Sequence, residues 1–141
     1  NKIAAALGTE LPVLFQGEKH IPEYTFGNLN FGEEVTRDNS GHYGIVYNSL
    51  AYRQIDRQMD PFIIEYHRAA EERDFMLHDT EEFYVLLEGE LDFYIMDGKN
   101  CSRMTAGDTV YLQANVPHKV KLAENCNYAR ALNVYTKKRG E

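Results

Sequence analysis

The chain contains 141 residues and carries a formal net charge of −7, which comes from 15 Lys and Arg against 22 Asp and Glu. This length suits one compact domain plus an appendage, and the negative charge disfavours direct contact of these residues with a nucleic-acid backbone. No stretch approaches the roughly 18 to 20 apolar residues of a membrane span, and the first residues do not resemble a secretory signal. Two cysteines, Cys101 and Cys126, do not make a disulfide framework. We therefore expect a cytoplasmic protein without membrane contact.

The first 41 residues have a different character from the rest of the chain. Residues 2–7 place apolar side chains at helical spacing among strong helix formers, and Gly8 stands where it would end that helix. Residues 11–15 indicate a second, short helical turn. Residues 18–41 scatter Gly, Asn and Pro among charges, which is typical of a linker or irregular arm. Because residues 1–17 are too few to form a core, we expect their apolar side chains to dock on another surface.

From Tyr43 onward the sequence predicts β-strands. Short apolar runs alternate with turn signals, and they lie at residues 61–67, 82–87, 91–96, 109–112, 118–122 and 128–135. Asp97-Gly98 predicts a type I′ hairpin, and Gly89 and Gly107 mark further reversals. The run at residues 82–87 is apolar on both alternating faces, which requires two packed sheets or a closed barrel. The predicted fold class is therefore all-β, a sandwich or a barrel.

One constellation of residues in these strands carries chemistry. His78 is followed after three residues by Glu82 and, after six more, by Gly89; Gly107-Asp108 and Pro117-His118 come later. Glu82 and His118 each share a strand face with apolar residues. The two strands are therefore able to aim a carboxylate and an imidazole into one barrel interior.

This spacing resembles the two motifs of cupins, in which a His-x-His pair precedes Glu and Gly, and a Gly-Asp turn precedes a final His. The resemblance implies a double-stranded β-helix, or jelly-roll, barrel. Cupin metal sites typically hold a divalent ion with three His and one Glu, but Met76 stands where the first His of the pair would lie. The resemblance thus supplies His78, Glu82 and His118 as candidate ligands for zinc, nickel or iron.

Two other interpretations of these residues stay open. Without a metal, His78, Glu82 and His118 would hydrogen-bond a small organic ligand in a mixed pocket. Alternatively, His78 and Glu82 form a buried pair in which each residue satisfies the hydrogen bonding of the other, without a functional role. The shared spacing with Gly89 and His118 favours a functional role.

Three further side chains are candidates for the pocket. Met76 would lie in the pocket beside the candidate ligands. Tyr84 shares a strand face with Glu82 and offers a hydroxyl, although buried barrel tyrosines more often serve packing. His67 is either a fourth pocket group or, as we expect, a solvent-facing strand residue.

Arg130 is a candidate partner for an anionic ligand. It lies in phase with Leu132 and Val134 on the last predicted strand. It therefore either points inward, to pair with a ligand carboxylate or with Glu82, or lies in solvent. The pattern does not decide between these two orientations.

The start of the chain resembles the end of the helix-turn-helix domain of phage-repressor-like transcriptional regulators. Residues 1–15 read NKIAAALGTELPVLF, close to the Lys-Ile-Ala-x-Ala-Leu-Gly run and Leu-Phe ending of that domain. Regulators of this kind often join such a domain to a cupin. Their cupins resemble this chain at residues 59–62, 78–90 and 129–132, and they often lack the first motif His.

This second resemblance implies a domain organisation and a function. Residues 1–17 would be the remnant of the DNA-binding domain, 18–41 a linker, 42–136 a ligand-sensing cupin and 137–141 a tail. The partners it implies are a small-molecule effector, a second copy of the chain, and DNA bound by a segment upstream of Asn1. We expect the dimer to form through exposed edge strands at residues 43–52.

The alternative function is a small metal-dependent cupin enzyme, such as a dioxygenase, isomerase or lyase. Its acid or base would have to be Glu82, His118 or Tyr84. The His missing at Met76 argues against a full catalytic metal site, so we do not expect an enzyme. A third alternative, a structural cupin with an empty barrel, would leave buried polar groups without partners, which is costly.

Overall fold

The computed structural model describes residues 20–96, 98 and 100–137. Within these ranges the chain forms nine β-strands and one short 3₁₀ helix, Ser40–Tyr43. The strands are β1 (Glu33–Val35), β2 (Ile45–Ser49), β3 (Met59–His67), β4 (Glu82–Glu88), β5 (Leu91–Ile95), β6 (Asn100–Met104), β7 (Thr109–Leu112), β8 (His118–Leu122) and β9 (Tyr128–Thr136).

The strands form two antiparallel sheets. The larger sheet has the order β1-β2-β3-β9-β4-β7, and the smaller one has the order β6-β5-β8. The last strand, β9, lies between β3 and β4, with Ile64 and Leu86 both opposite Ala131. This arrangement confirms the predicted all-β, jelly-roll class.

The core lies between the two sheets. In β2, β4 and β9, buried side chains alternate with more exposed ones, as expected of strands that turn one face inward. Tyr84 of β4 meets Phe93 of β5 edge to face, with ring centroids 5.5 Å apart. The inward faces also bury Ile64, Leu86 and Leu91 almost completely. Candidate site residues whose side chains point inward from these strands therefore lie in an interior of low polarity.

Gly89 makes the turn from β4 to β5. Its φ is +90°, and a Cβ at this position would collide with the carbonyl oxygen of Tyr128 and lie 2.8 Å from Cα of Ala129. The motif glycine is therefore required both by its backbone conformation and by the close approach of the neighbouring strand.

Two predictions about the first half of the chain differ from the structure. Residues 33–35, expected to belong to a linker or irregular arm, form β1, which pairs with β2. Because β1 pairs with residues 47–49 and β3 pairs with residues 45–49, β2 is not the exposed edge strand that we expected at residues 43–52. Among the described strands, β1 and β7 are the edges of the larger sheet.

Strands β5 and β6 are joined by residues 96–99, and Ile95 pairs with Asn100. The type I′ turn at Asp97-Gly98 stays a prediction, because Asp97 lies outside the described residues. Strand β6 itself was not predicted, because four of its five side chains are exposed and only Met104 is buried, which leaves no apolar run.

Several predictions concern residues that the structure does not describe. The helical segments at residues 2–7 and 11–15, the remnant at 1–17 and the tail from residue 138 lie outside the described ranges. In the ranges that are described, no helix has the length and apolarity required to cross a membrane. Cys101 and Cys126 both carry free thiols.

Candidate metal and ligand site

Three side chains predicted from the sequence meet at one end of the barrel. His78 precedes β4, Glu82 is the first residue of β4, and His118 is the first residue of β8. Oε2 of Glu82 lies 3.8 Å from Nε2 of His78 and 3.5 Å from Nε2 of His118. One atom from each of the three residues lies within 4.8 Å of the others. These three residues, the His-Glu-His cluster, could together hold a metal ion.

The orientation of the His118 ring is set by the backbone. Its Nδ1 lies 2.9 Å from the carbonyl oxygen of Val116, an acceptor that requires the proton on Nδ1. The second ring nitrogen, Nε2, lies on the side of the ring that faces Glu82, and in the neutral ring it carries the lone pair. This is the tautomer that a metal-binding histidine needs.

Glu82 is buried and is held by one neighbouring side chain. Nδ2 of Asn133, on the adjacent strand β9, donates a hydrogen bond of 3.1 Å to Oε1. This leaves Oε2 free to face the two imidazoles. Burial raises the pKa of Glu82, while the neighbouring His118, the Asn133 hydrogen bond and the charge of Arg37 oppose that rise.

His78 has a nitrogen without a partner. Its Nε2 is buried and makes no hydrogen bond with any described residue. Burial, followed by the charges of His118 and Arg37, lowers the pKa of His78 to about 4. The imidazole is therefore neutral at pH 7, with its ring packed edge-on against Tyr135 at 5.6 Å.

These observations fit a divalent metal. Two imidazole nitrogens and a carboxylate oxygen are the donors of the two-histidine, one-carboxylate sites of mononuclear metal centres. A bound cation would also satisfy the orphaned Nε2 of His78, which otherwise costs free energy.

Met76 contributes its backbone to the site. Its N–H donates to the carbonyl oxygen of His118 at 2.8 Å, and the His118 N–H donates back at 3.1 Å. This bridge ties the segment before β4 to β8. The Met76 residue also lines the cavity beside the cluster, at the position where a fourth ligand would be expected from the cupin motif.

The cluster lies between a small cavity and an open groove. The interior cavity measures about 20 Å³, and Glu82, His118 and Asn133 are among its lining residues. A volume of this size holds about one water or ion rather than a metabolite. A separate open groove of about 820 Å³ is lined by His78, Arg37 and Arg73. An organic ligand would therefore approach from the groove.

Comparison with known proteins identifies the fold family. The cupin domain family matches residues 62–135, which is more than half of the chain. The chain belongs to the cupin family. A search of the curated proteins finds no match.

Solved structures similar to this cupin share its fold at low identity. Hydroxypropylphosphonic acid epoxidase from S. wedmorenis is 19% identical, with a TM-score of 0.62 over 79% of this chain and 58% of that chain. The RmlC-like cupin from Shewanella frigidimarina is 18% identical, with a TM-score of 0.61 over 87% and 97%. The polyketide cyclase RemF from Streptomyces resistomycificus is 13% identical, with a TM-score of 0.67 over 84% and 82%. The alignments span only 52 to 60% of the length of the first four epoxidase structures matched.

Tyr84 of this cupin lines the cavity, and its hydroxyl is already paired. The Tyr84 and Tyr66 oxygens lie 2.5 Å apart, and both residues are buried. Burial raises the pKa of each tyrosine well above its ordinary value. Tyr84 therefore remains protonated and bonds to Tyr66, which favours the packing interpretation.

Arg130 does not point into the cupin barrel. The phase with Leu132 and Val134 is as predicted, but the buried face of β9 is the other one, which carries Ala131 and Asn133. Arg130 instead donates to Oδ1 of Asn30 at 2.8 Å. Of the two orientations left open by the sequence, the structure shows the outward one; both faces of β9 carry apolar residues, so alternation alone does not choose between them.

His67 lies away from the cluster, with 47% of its side chain exposed, as expected. Sequence reasoning missed Asn133, Arg37 and Arg73. Asn133 could have been found from its in-phase position between Ala131 and Tyr135. The two arginines lie on irregular segments, where no periodicity assigns a direction to a side chain.

Proposed function

We propose that this cupin domain binds a small organic ligand at a mononuclear divalent metal centre held by His78, Glu82 and His118. The observation that carries the proposal is the convergence of two imidazole nitrogens on Oε2 of Glu82, with Nε2 of His78 buried and without a hydrogen-bond partner among the described residues. A purely structural cluster would pair these groups by hydrogen bonds.

The protein's own groups prepare this site for a cation. The Val116 carbonyl fixes the His118 tautomer, and Asn133 holds Glu82 so that one carboxylate oxygen faces inward. The low pKa of His78 keeps its imidazole neutral, so protons do not compete for it at pH 7. A divalent ion bound here would supply a Lewis acid that polarises a ligand oxygen.

We further propose that the domain is the sensor of a DNA-binding transcriptional regulator. This rests on the resemblance of residues 1–15 to the end of a helix-turn-helix domain and on the Met at position 76. The effector would enter through the groove, contact two arrangements of a cupin dimer differently, and so change the spacing of two DNA-reading heads.

A metal-dependent enzyme is the second candidate, and one observation favours it. Three protein ligands leave coordination positions open, and the cluster borders an open groove through which a substrate could reach them. Both candidates use the same metal centre, but only the enzyme requires turnover.

The first experiment is elemental analysis of protein purified without chelator, together with mass spectrometry of bound small molecules. We expect zinc, nickel or iron at up to one ion per chain, and loss of that ion in His118→Ala and Glu82→Gln. His67→Ala is the matched control, because this histidine is exposed and lies outside the cluster. Absence of metal from the wild type after reconstitution with each of the three ions would refute the metal centre.

A further inference from the structure

Two arginines line the groove next to the His-Glu-His cluster. Arg37 follows β1, and Arg73 lies in the segment between β3 and β4; both line the same open groove as His78. Neither takes part in the proposed metal centre. Arginine is the side chain best suited to bidentate recognition of carboxylates.

Arg37 is packed against aromatic rings, and no carboxylate among the described residues pairs with it. Its guanidinium carbon lies 4.3 Å from the ring centroid of Tyr135, 5.4 Å from that of Phe62 and 5.6 Å from that of Tyr47. Its Nε is buried and has no hydrogen-bond partner among the described residues. Cation–π contacts offset part of the desolvation of a guanidinium but supply no negative countercharge.

Tyr135 joins Arg37 to the cluster. The ring of Tyr135 contacts the guanidinium of Arg37 at 4.3 Å and the ring of His78 at 5.6 Å. A ligand that pairs with Arg37 therefore lies next to the proposed metal centre.

Arg73 adds a second, more fully paired positive charge. It is buried, donates to the hydroxyl of Tyr47 at 3.2 Å and to the carbonyl oxygen of Asp38 at 3.0 Å, and lies 3.9 Å from the Asp38 carboxylate. The acidic residues of the groove, Asp38, Asp74 and Asp79, are exposed to solvent. The groove is thus positive in its buried part and negative at its rim.

We propose that the groove is a binding site for a small organic acid whose carboxylate pairs with Arg37, beside the His-Glu-His cluster. The inference deepens the proposed function, on which its metal-facing side rests, by naming the chemical class of the ligand. Arg73 supplies the second positive charge that holds the acid in the groove. Because the whole chain carries a net charge of −7, general electrostatics would repel such an anion, so binding requires this local site.

The test measures binding of malonate, succinate and glutarate, each against its uncharged diamide, by calorimetry on chelator-treated protein. We expect at least one dicarboxylate to bind and its diamide not to bind. Arg37→Gln should weaken that binding by about tenfold or more, whereas Arg53→Gln, the substitution of an exposed arginine outside the groove, should leave it within about twofold. Failure of all three acids to bind better than their diamides, or unchanged binding in Arg37→Gln, would overturn the proposal.

Two additions keep the test decisive. If Arg37→Gln does not fold by circular dichroism, Arg37→Lys replaces it; this substitution keeps the charge but loses the planar fork, and it should weaken binding by at least about threefold. Cobalt(II) stoichiometry, measured from visible absorption, is followed in the same variants. Cobalt bound without dicarboxylate binding refutes the acid site alone, and dicarboxylate binding without cobalt refutes the metal centre alone.

Discussion

Asn133 donates a hydrogen bond of 3.1 Å to Oε1 of Glu82 from the neighbouring strand of the same sheet. The contact joins two buried polar groups across β9 and β4, and it favours the charged form of a carboxylate whose pKa burial raises. The Asn133 amide therefore affects the His-Glu-His cluster indirectly, by stabilising the charged form of Glu82, and is not itself a proposed metal ligand. Its removal has a measurable consequence for metal binding.

Asn133→Ala should lower divalent metal affinity by about 10- to 100-fold, the range found when partners of metal ligands are removed. The reason is that the Glu82 carboxyl loses a hydrogen bond that favours its charged form. Affinity is measured by competition with a chelator of known strength. Asn48→Ala is the control, since this amide bonds to the Ile63 carbonyl, far from the cluster in sequence and on another strand. Equal affinities in the two variants would contradict the role of Asn133.

His78 should make the stability of the metal-free protein depend on pH. Its pKa is about 4 when folded and near 6.5 when unfolded, so between these values the unfolded chain binds a proton that the folded chain does not. The His78 contribution therefore lowers the free energy of unfolding as pH falls from about 6.5 to 4, by about 2 to 3 kcal/mol. Above this window the contribution is constant.

The raised pKa of Glu82 acts in the opposite direction, because the folded chain keeps a proton that the unfolded chain loses as pH rises above 4.5. The His78 contribution is therefore isolated by comparing wild type with His78→Gln, by urea denaturation in chelator across this pH range. As the pH falls, the wild type should lose stability relative to the variant. A difference that does not change with pH would contradict this assignment.

The Tyr66–Tyr84 hydroxyl pair should show strong coupling. Tyr66→Phe or Tyr84→Phe alone leaves one buried hydroxyl without its partner, and each should cost about 1 to 2 kcal/mol of unfolding free energy. The double variant removes both hydroxyls and should cost less than the sum of the two. The double-mutant cycle is measured by urea denaturation. Tyr52→Phe, at an exposed position, should have no effect, and additive costs would argue against a direct hydrogen bond.

Gly89→Ala and Gly107→Ala separate backbone strain from steric collision. Both glycines have positive φ, +90° and +98°, so both substitutions should cost about 1 kcal/mol or more through strain. Only at Gly89 does the new Cβ meet the backbone of Tyr128 and Ala129, whereas nothing lies within 4 Å of it at Gly107. We expect the free energy of unfolding to fall by at least about 2 kcal/mol more in Gly89→Ala. Equal losses in thermal denaturation would mean that β9 shifts to accept the methyl group.

The cluster could be predicted because its signal is spacing within and next to strands. His78, Glu82 and His118 follow a motif whose intervals fix which face each residue occupies, and the structure brings the three together. The orientation of Arg130 could not be predicted, for the opposite reason. Because strand β9 carries apolar residues at both Ala131 and Leu132, the two-residue alternation of the strand could be recognised, but the face that points inward could not be identified.

The groove could not be predicted from periodicity at all. Arg37 and Arg73 reach it from irregular segments more than 30 positions apart in the chain, and only tertiary packing joins them. Strand β6 was missed because an exposed edge strand does not need apolar residues. Strand β1 was missed because its three residues form a strand only by pairing with β2, and their own composition does not predict one.

The position of β9 between β3 and β4 has a consequence for biosynthesis. During translation, β3 and β4 leave the ribosome long before β9, the strand that pairs with both of them. Met59, for example, pairs with Thr136, which is synthesised much later. The larger sheet therefore stays divided until residues 128–136 have left the exit tunnel. Its closure is a late event of high contact order, and premature termination before β9 would release a chain with two long unpaired strand edges open to aggregation.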